Sequence, residues 1–221
     1  MRRTFVNAAA LAAPFLLSAA PALAHPHVWI TMRSDVVVND KAEVTGIAVE
    51  WTFDDGYTQM ALDGLDANGD GVYSQTELEP LTQENLKSLK DYNYFIVPRV
   101  NGKVVDLADP AEYGQIYSNG KLALHFTVPL ASPVDPRKAE FLYKIYDPEF
   151  FIALDYVQED PVGVIGEMPK GCHLEVKPVV SDQQLEQTRQ MLSTKGTDWK
   201  PPEDEDFGGL FAQPTLVMCS K

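Results

Sequence analysis

The sequence predicts an α+β protein that is mainly antiparallel β, a sandwich or a curled sheet, with an inserted EF-hand-like helix-loop-helix and a C-terminal helix. Three observations predict it. Apolar and polar residues alternate in segment after segment, two Asn-Gly pairs sit between such segments, and a twelve-residue loop rich in oxygen ligands is flanked by helical spacing. His27 to Val38 sets Val28, Ile30 and Met32 against His27, Trp29 and Thr31, the period of a half-buried strand. Asn39-Asp40 turns the chain into a second strand, Ala42 to Phe53. Tyr94 to Val100 and Val104 to Leu107 flank Asn101-Gly102, and Gln115 to Tyr117 and Lys121 to Val128 flank Asn119-Gly120. Asn-Gly tolerates the positive φ of a tight hairpin, so each pair predicts antiparallel neighbours. Further strands are expected at Ala139 to Tyr146, Phe151 to Tyr156 and His173 to Val180. Helices are expected at Tyr57 to Leu65 and Thr76 to Asp91, and from Ser181, where Gln184 completes a capping box, to about Ser193.

Composition narrows the function. The 221 residues are 45% hydrophobic and 23% charged, as in an ordinary folded chain, and 18 Lys plus Arg against 32 Asp plus Glu give a net charge of -14. A phosphate backbone is repelled by such a surface, so nucleic acid is not an expected partner, whereas cations are. Residues 1–24 read as an export signal: a basic Met1-Arg2-Arg3, an apolar Phe5 to Ala20, and a small-x-small site at Ala22-Leu23-Ala24. Pro14 and Pro21 interrupt the apolar run, which falls short of the roughly 20 residues of a membrane span. The expected organisation is a signal peptide at 1–24 and one β-rich domain at 25–221, with a helical insertion at about 55–91 and no membrane span after cleavage. Export is to the periplasm by the Sec route or, given Arg2-Arg3, the twin-arginine route. In that oxidising compartment Cys172 and Cys219 are expected to pair, a closure worth about 4 kcal/mol on the chain-entropy estimate. The Pro201-Pro202-Glu203-Asp204-Glu205-Asp206 run reads as a solvated acidic linker.

The most specific motif runs from Asp66 to Glu77. Asp66, Asn68 and Asp70 offer side-chain oxygens at loop positions 1, 3 and 5, and Gly71 takes the sharp turn at position 6. Val72 offers its carbonyl, Ser74 holds a water, and Glu77 closes the set with two oxygens, so a structural calcium ion is expected. Cleavage after Ala24 would leave His25-Pro26-His27 at the mature terminus, with two imidazoles on one side of an extended chain. Pro26 lacks an amide proton and blocks the amino-terminal chelate through deprotonated amides, so a third imidazole is needed. His125 is the candidate, because Leu122, Leu124, Phe126 and Val128 face one way and leave it on the other face. Neutral imidazoles suit zinc, nickel, cobalt or copper. No G-x-S-x-G, H-E-x-x-H, C-x-x-C, Walker A or dinucleotide Gly-rich loop occurs, and no enzyme activity is expected. Asp54-Asp55 and Tyr146-Asp147-Pro148-Glu149 read as starters of turns and helices before carboxylate ligands.

His25-Pro26-His27-Val28-Trp29, Trp51-Thr52-Phe53-Asp54, Gly64-Leu65-Asp66 to Gly71, Asn93-Tyr94-Phe95, Leu124-His125-Phe126, Tyr146-Asp147-Pro148 and Gly171-Cys172 follow one another in this order. The series resembles a domain-of-unknown-function family of bacterial periplasmic proteins, described as the periplasmic component of an uncharacterised ABC-type transport system. The resemblance implies divalent transition-metal transport of the nickel/cobalt or zinc kind, a membrane metal transporter as partner, His25, His27 and His125 as matched positions, and the calcium-type loop at Asp66 to Glu77. His173 lies outside that pattern. The expected function is a periplasmic accessory protein that buffers or delivers a transition metal. Its rivals are a histidine-brace copper enzyme, in which the His25 amine and imidazole act with a second His, and a calcium-stabilised interaction module without a transition metal.

Overall fold

The computed structural model describes residues 26–179, 183, 186, 187, 190, 191, 194 and 208–220. Its elements are β1 (Val28–Val38), β2 (Val44–Phe53), α1 (Asp55–Leu62), α2 (Gln75–Lys90), β3 (Ile96–Val100), β4 (Lys103–Val104), β5 (Glu112–Ser118), β6 (Lys121–Val134), β7 (Phe141–Ile145), β8 (Ile152–Tyr156), β9 (Val162–Ile165), β10 (Cys172–Val176) and β11 (Thr215–Cys219). The first sheet has the order β5-β6-β2-β1-β8, with β9 also on β1, and the second has the order β10-β11-β7-β3-β4.

Alternation decides which face each strand buries. β1 turns Ile30, Met32, Ser34, Val36 and Val38 inward, β2 turns Ile47, Val49, Trp51 and Phe53, and β6 turns Leu122, Leu124, Phe126, Val128 and Leu130. Phe141, Tyr143 and Ile145 of β7, with Ile96 and Val217, meet them from the second sheet in one apolar cluster that also takes Leu62, Leu78, Leu86 and Leu89 from the helices. A polar network crosses between the sheets within this core. Ser34 Oγ lies 2.7 Å from the Tyr143 hydroxyl and 3.1 Å from that of Tyr156, which lies 2.9 Å from Thr215 Oγ1. Burial pushes both tyrosine hydroxyls above their ordinary values, and each is hydrogen-bonded, so the network spares the core the cost of unmet polar atoms.

Both Asn-Gly hairpins form, with Asn101 at φ +49 and Asn119 at φ +53, joining β3 to β4 and β5 to β6. The sheets are mainly antiparallel, as expected, and the first also holds two parallel pairings. β8 runs parallel to β1 along Val28–Met32, and β9 runs parallel to it along Ser34–Val37. Crossing to the second sheet in β7 brings the chain back to the free edge of β1 in the same direction. β9 and β11, runs of four and five residues, were not expected. β4 ends at Val104 instead of Leu107, because Leu107 crosses to bridge Leu130 of the first sheet. β3 starts at Ile96, after one 3-10 turn of Asn93–Phe95 at positive φ. The disulfide is present: Cys172 and Cys219 sit opposite each other on β10 and β11, 3.9 Å apart at Cα. The helix expected from Ser181 falls largely outside the described residues, as do residues 1–25 and the acidic run at 201–206.

Candidate metal centre

The helical insertion leaves β2 at Asp54, which caps α1. Its carboxylate accepts from the Tyr57 amide at 2.9 Å and the Trp29 amide at 2.8 Å. Burial raises this carboxyl, but the amides of Trp29, Tyr57 and Gly56 outweigh it and hold the group below its usual range. Asp55 pairs with Lys121 at 2.6 Å. Asp147 likewise serves backbone, its oxygens accepting from the amides of Glu149, Phe151 and Ile152, while burial pushes its pKa up.

Between α1 and α2 the loop folds around its own carboxylates. Asp66 Oδ1 accepts from the amides of Gly69 at 2.8 Å and Asp70 at 3.1 Å, and Asp66 Oδ2 accepts from that of Gly71 at 2.9 Å. Asn68 Oδ1 accepts from the Asp70 amide, and Asp70 Oδ1 from the Val72 amide. Gly71 has φ +76, a conformation that L side chains adopt at a cost, which is why the turn position carries glycine. Ser74 and Glu77 form a capping box on α2: Ser74 Oγ accepts from the Glu77 amide, and Glu77 Oε2 accepts from the Ser74 amide at 2.9 Å. Glu77 Oε1 takes the Ala67 amide at 3.0 Å, so this side chain closes the loop end to end. The amide and hydroxyl of Ser74 hold the Glu77 carboxyl below its usual range. Tyr73 packs edge-on against Tyr117, and Gln75 Nε2 donates to the Gln115 carbonyl at 2.7 Å, anchoring the loop to the edge strand β5.

Among the described residues no three His, Cys, Asp or Glu side chains are gathered as a metal-ligand group. In the loop the carboxylates are turned onto amides. The residue types are those that calcium takes, hard oxygens in sequence with a positive-φ glycine at the sharp turn, although Glu77 spends its two oxygens on the Ala67 and Ser74 amides. Asp66, Asn68, Asp70, the Val72 carbonyl, Ser74 and Glu77 would hold the ion.

The three-histidine set is not assembled. His25 lies outside the described residues. His27 is exposed before β1, with its amide donating to the Phe151 carbonyl at 2.8 Å and its ring 4.7 Å from that of Phe151. His125 is half-buried on β6, opposite Glu50, which itself lies opposite Arg33. Residue 27 is therefore six positions along β1 from the row that holds His125, on the order of 20 Å at the rise of a strand. Both lie on the outer face, as the alternation predicts, and the register separates them. The His125 imidazole lies over Gly114, where a Cβ would stand 2.9 Å from Cε1. His173 is exposed on β10, opposite Met218. Among the described residues three buried side-chain nitrogens, Trp51 Nε1, Asn85 Nδ2 and Gln115 Nε2, have no hydrogen-bond partner, and nothing in the residue pattern marked them.

Fold and site define a two-sheet β protein that carries a helix-loop-helix with an oxygen-rich loop at one edge. No helix among the described residues is long and apolar enough to cross a membrane. The chain belongs to the family described as Protein of unknown function (DUF1007), whose model matches residues 10–219. It is similar to an uncharacterised protein of Haemophilus influenzae, 23% identical over 199 residues that cover 89% of this chain and 92% of the relative. It is also similar to an uncharacterised 15.5 kDa protein of Spirochaeta aurantia, 28% identical over 99 residues that cover 45% of this chain and 70% of the relative.

Proposed function

We propose that this is an exported, periplasmic metal-binding accessory protein. The loop from Asp66 to Glu77 holds a structural calcium ion, and the His25-Pro26-His27 segment takes a divalent transition ion for hand-over to a membrane transporter. The observation that carries the reading is the loop itself, in which one carboxylate, that of Asp66, gathers the amides of Gly69, Asp70 and Gly71 between two helices. Those bonds hold the oxygen-bearing residues of the loop close together in sequence order, which supports a cation that takes six to eight oxygen ligands. The Cys172 to Cys219 disulfide supports an oxidising compartment. His27 supports the transfer role by its exposure at the start of β1, where a partner's ligand can reach it.

With His125 remote, the transition ion rests on the two histidines near the terminus and on groups of water or the partner. Such an incomplete set is weak and exchangeable, as delivery requires. The test is calorimetric titration of protein processed to begin at His25, with calcium and separately with zinc, nickel, cobalt and copper. One calcium per chain is expected, with a transition-metal affinity that falls in His27→Ala. Calcium binding without any transition metal would leave a calcium-stabilised module, and oxygen- or peroxide-dependent turnover with copper would replace delivery by the copper-enzyme reading.

A further inference from the structure

Among the described residues, β8 ends one side of the first sheet, and no further strand pairs with its outer edge. Ladder geometry says which groups that edge presents. The Trp29 carbonyl accepts from the Asp54 amide on the β2 side, whereas the Met32 carbonyl accepts from the Val157 amide at 3.0 Å on the β8 side. Backbone groups alternate sides along a strand, so in the parallel register that sets Ile30 beside Leu154 the amides and carbonyls of Ala153 and Asp155 face β1. Those of Leu154 and Tyr156 face outward, as does the Ile152 amide, which donates to Asp147 Oδ2 at 2.9 Å. The β5 side of the sheet is managed differently, since Gln75 Nε2 on α2 donates to the Gln115 carbonyl at 2.7 Å. Open edges are ordinarily blunted by lysine, proline or a bulge, and Ile152–Tyr156 carries none of these.

A cavity of about 430 Å³ runs along this edge. All the residues of β8 line it, and successive side chains of a strand take opposite faces, so a space that touches every one of them follows the backbone edge. Phe150 and Phe211, stacked at 4.4 Å, also line it, and Trp29, 53% exposed, flanks it on the outer face of β1. Asp147 and Asp155 contribute to the wall, and among the described residues no Lys or Arg does. A row of N-H and C=O groups beside apolar and aromatic side chains matches an extended peptide, whose main chain meets the edge while alternate side chains meet the walls. A second copy of β8 would bring Asp155 toward a like charge, whereas a basic side chain there meets Asp155 and the face of Trp29. We propose that β8 accepts an extended, basic segment of a partner protein as an added strand, paired to the backbone of Leu154 and Tyr156.

The probe is an acetylated and amidated hexapeptide alternating valine and lysine, titrated into ¹⁵N-labelled protein. The Leu154 and Tyr156 amide protons should move downfield and saturably, while those of Ala153 and Asp155, already bonded to β1, move less. Charge attraction alone does not produce that alternation. Asp155→Asn should weaken binding about two- to fivefold, the range of an exposed charge pair, and glutamate in place of the peptide's lysines should end saturable binding. Leu154→Pro removes an outward donor without removing a bond to β1, since proline is accepted where a strand's N-H faces out, and should abolish binding. If Leu154→Pro does not fold, the alternation in the wild type decides alone. No saturable binding, equal shifts at all four amides, or unchanged affinity in a folded Leu154→Pro would overturn the proposal. Nuclear Overhauser contacts of the Leu154 and Tyr156 amides with residues 180–207 or with a second copy, in the peptide-free protein, would overturn it too, because the edge would then already be filled.

Discussion

The loop from Asp66 to Glu77 and the histidines of the outer face are both built from metal-ligating residue types, yet only the first is held together by its own chain. Its candidate ligands fall within twelve consecutive residues, and local amide bonds to Asp66, Asn68 and Asp70 fix their relation without recourse to strand register. The histidines depend on which residue of β1 lies opposite which residue of β2 and β6. That register places Arg33, and not residue 27, in the row of Glu50 and His125. Contiguous sites are properties of sequence, and sites assembled across strands are properties of register.

The sharpest way to break this contrast is to remove a loop ligand. Calcium should raise the melting temperature of the wild type, and Asp66→Ala or Glu77→Gln should abolish or greatly reduce that rise while leaving transition-metal titration unchanged. Differential scanning calorimetry with and without calcium reads this directly. A smaller effect is expected at Gly114, where an added Cβ meets the His125 ring at 2.9 Å. Gly114→Ala should cost no more than about 1 kcal/mol in urea unfolding, since the tip of the half-buried His125 ring can shift aside, and Gly114→Ala combined with His125→Ala should recover it.

Asp54→Ala removes the cap of α1 and the acceptor of the Trp29 amide, and should cost about 1 kcal/mol. Because the folded Asp54 carboxyl lies below its ordinary value, its contribution is present at neutral pH and is lost as pH falls through the folded value. The acid limb of the variant's stability curve should therefore be shallower than that of the wild type. The smallest expected effect is none: His125→Ala should leave nickel or zinc affinity unchanged where His27→Ala lowers it. Equal losses in both variants would bring the two histidines back to one ion and refute the register argument.

What the residues made legible follows the same division. The alternation in β1, β2 and β6, the Asn-Gly turns and the two helices are local signals, and each places its element within a few residues. Ser74-x-x-Glu77 is also a capping-box pattern, and the structure uses it as one, so two readings of the same four residues coexist. The pairing of β8 and β9 parallel to one edge of β1 left no local trace, since it is decided by where the chain returns from the second sheet. Trp51 and Asn85 were equally silent. An indole in an alternating strand reads as core, and the alternation says nothing of whether its N-H finds an acceptor, which among the described residues it does not.

That the calcium site is the contiguous loop, with the outer-face histidines outside it, can be read amide by amide in a titration of ¹⁵N-labelled protein with calcium. Saturable shifts are expected at the Gly69, Asp70, Gly71 and Val72 amides, whose hydrogens point at the carboxylates that would take up the ion, with His27 and His125 unmoved. Loop amides that stay in place at millimolar calcium, or shifts centred on His125, would contradict it.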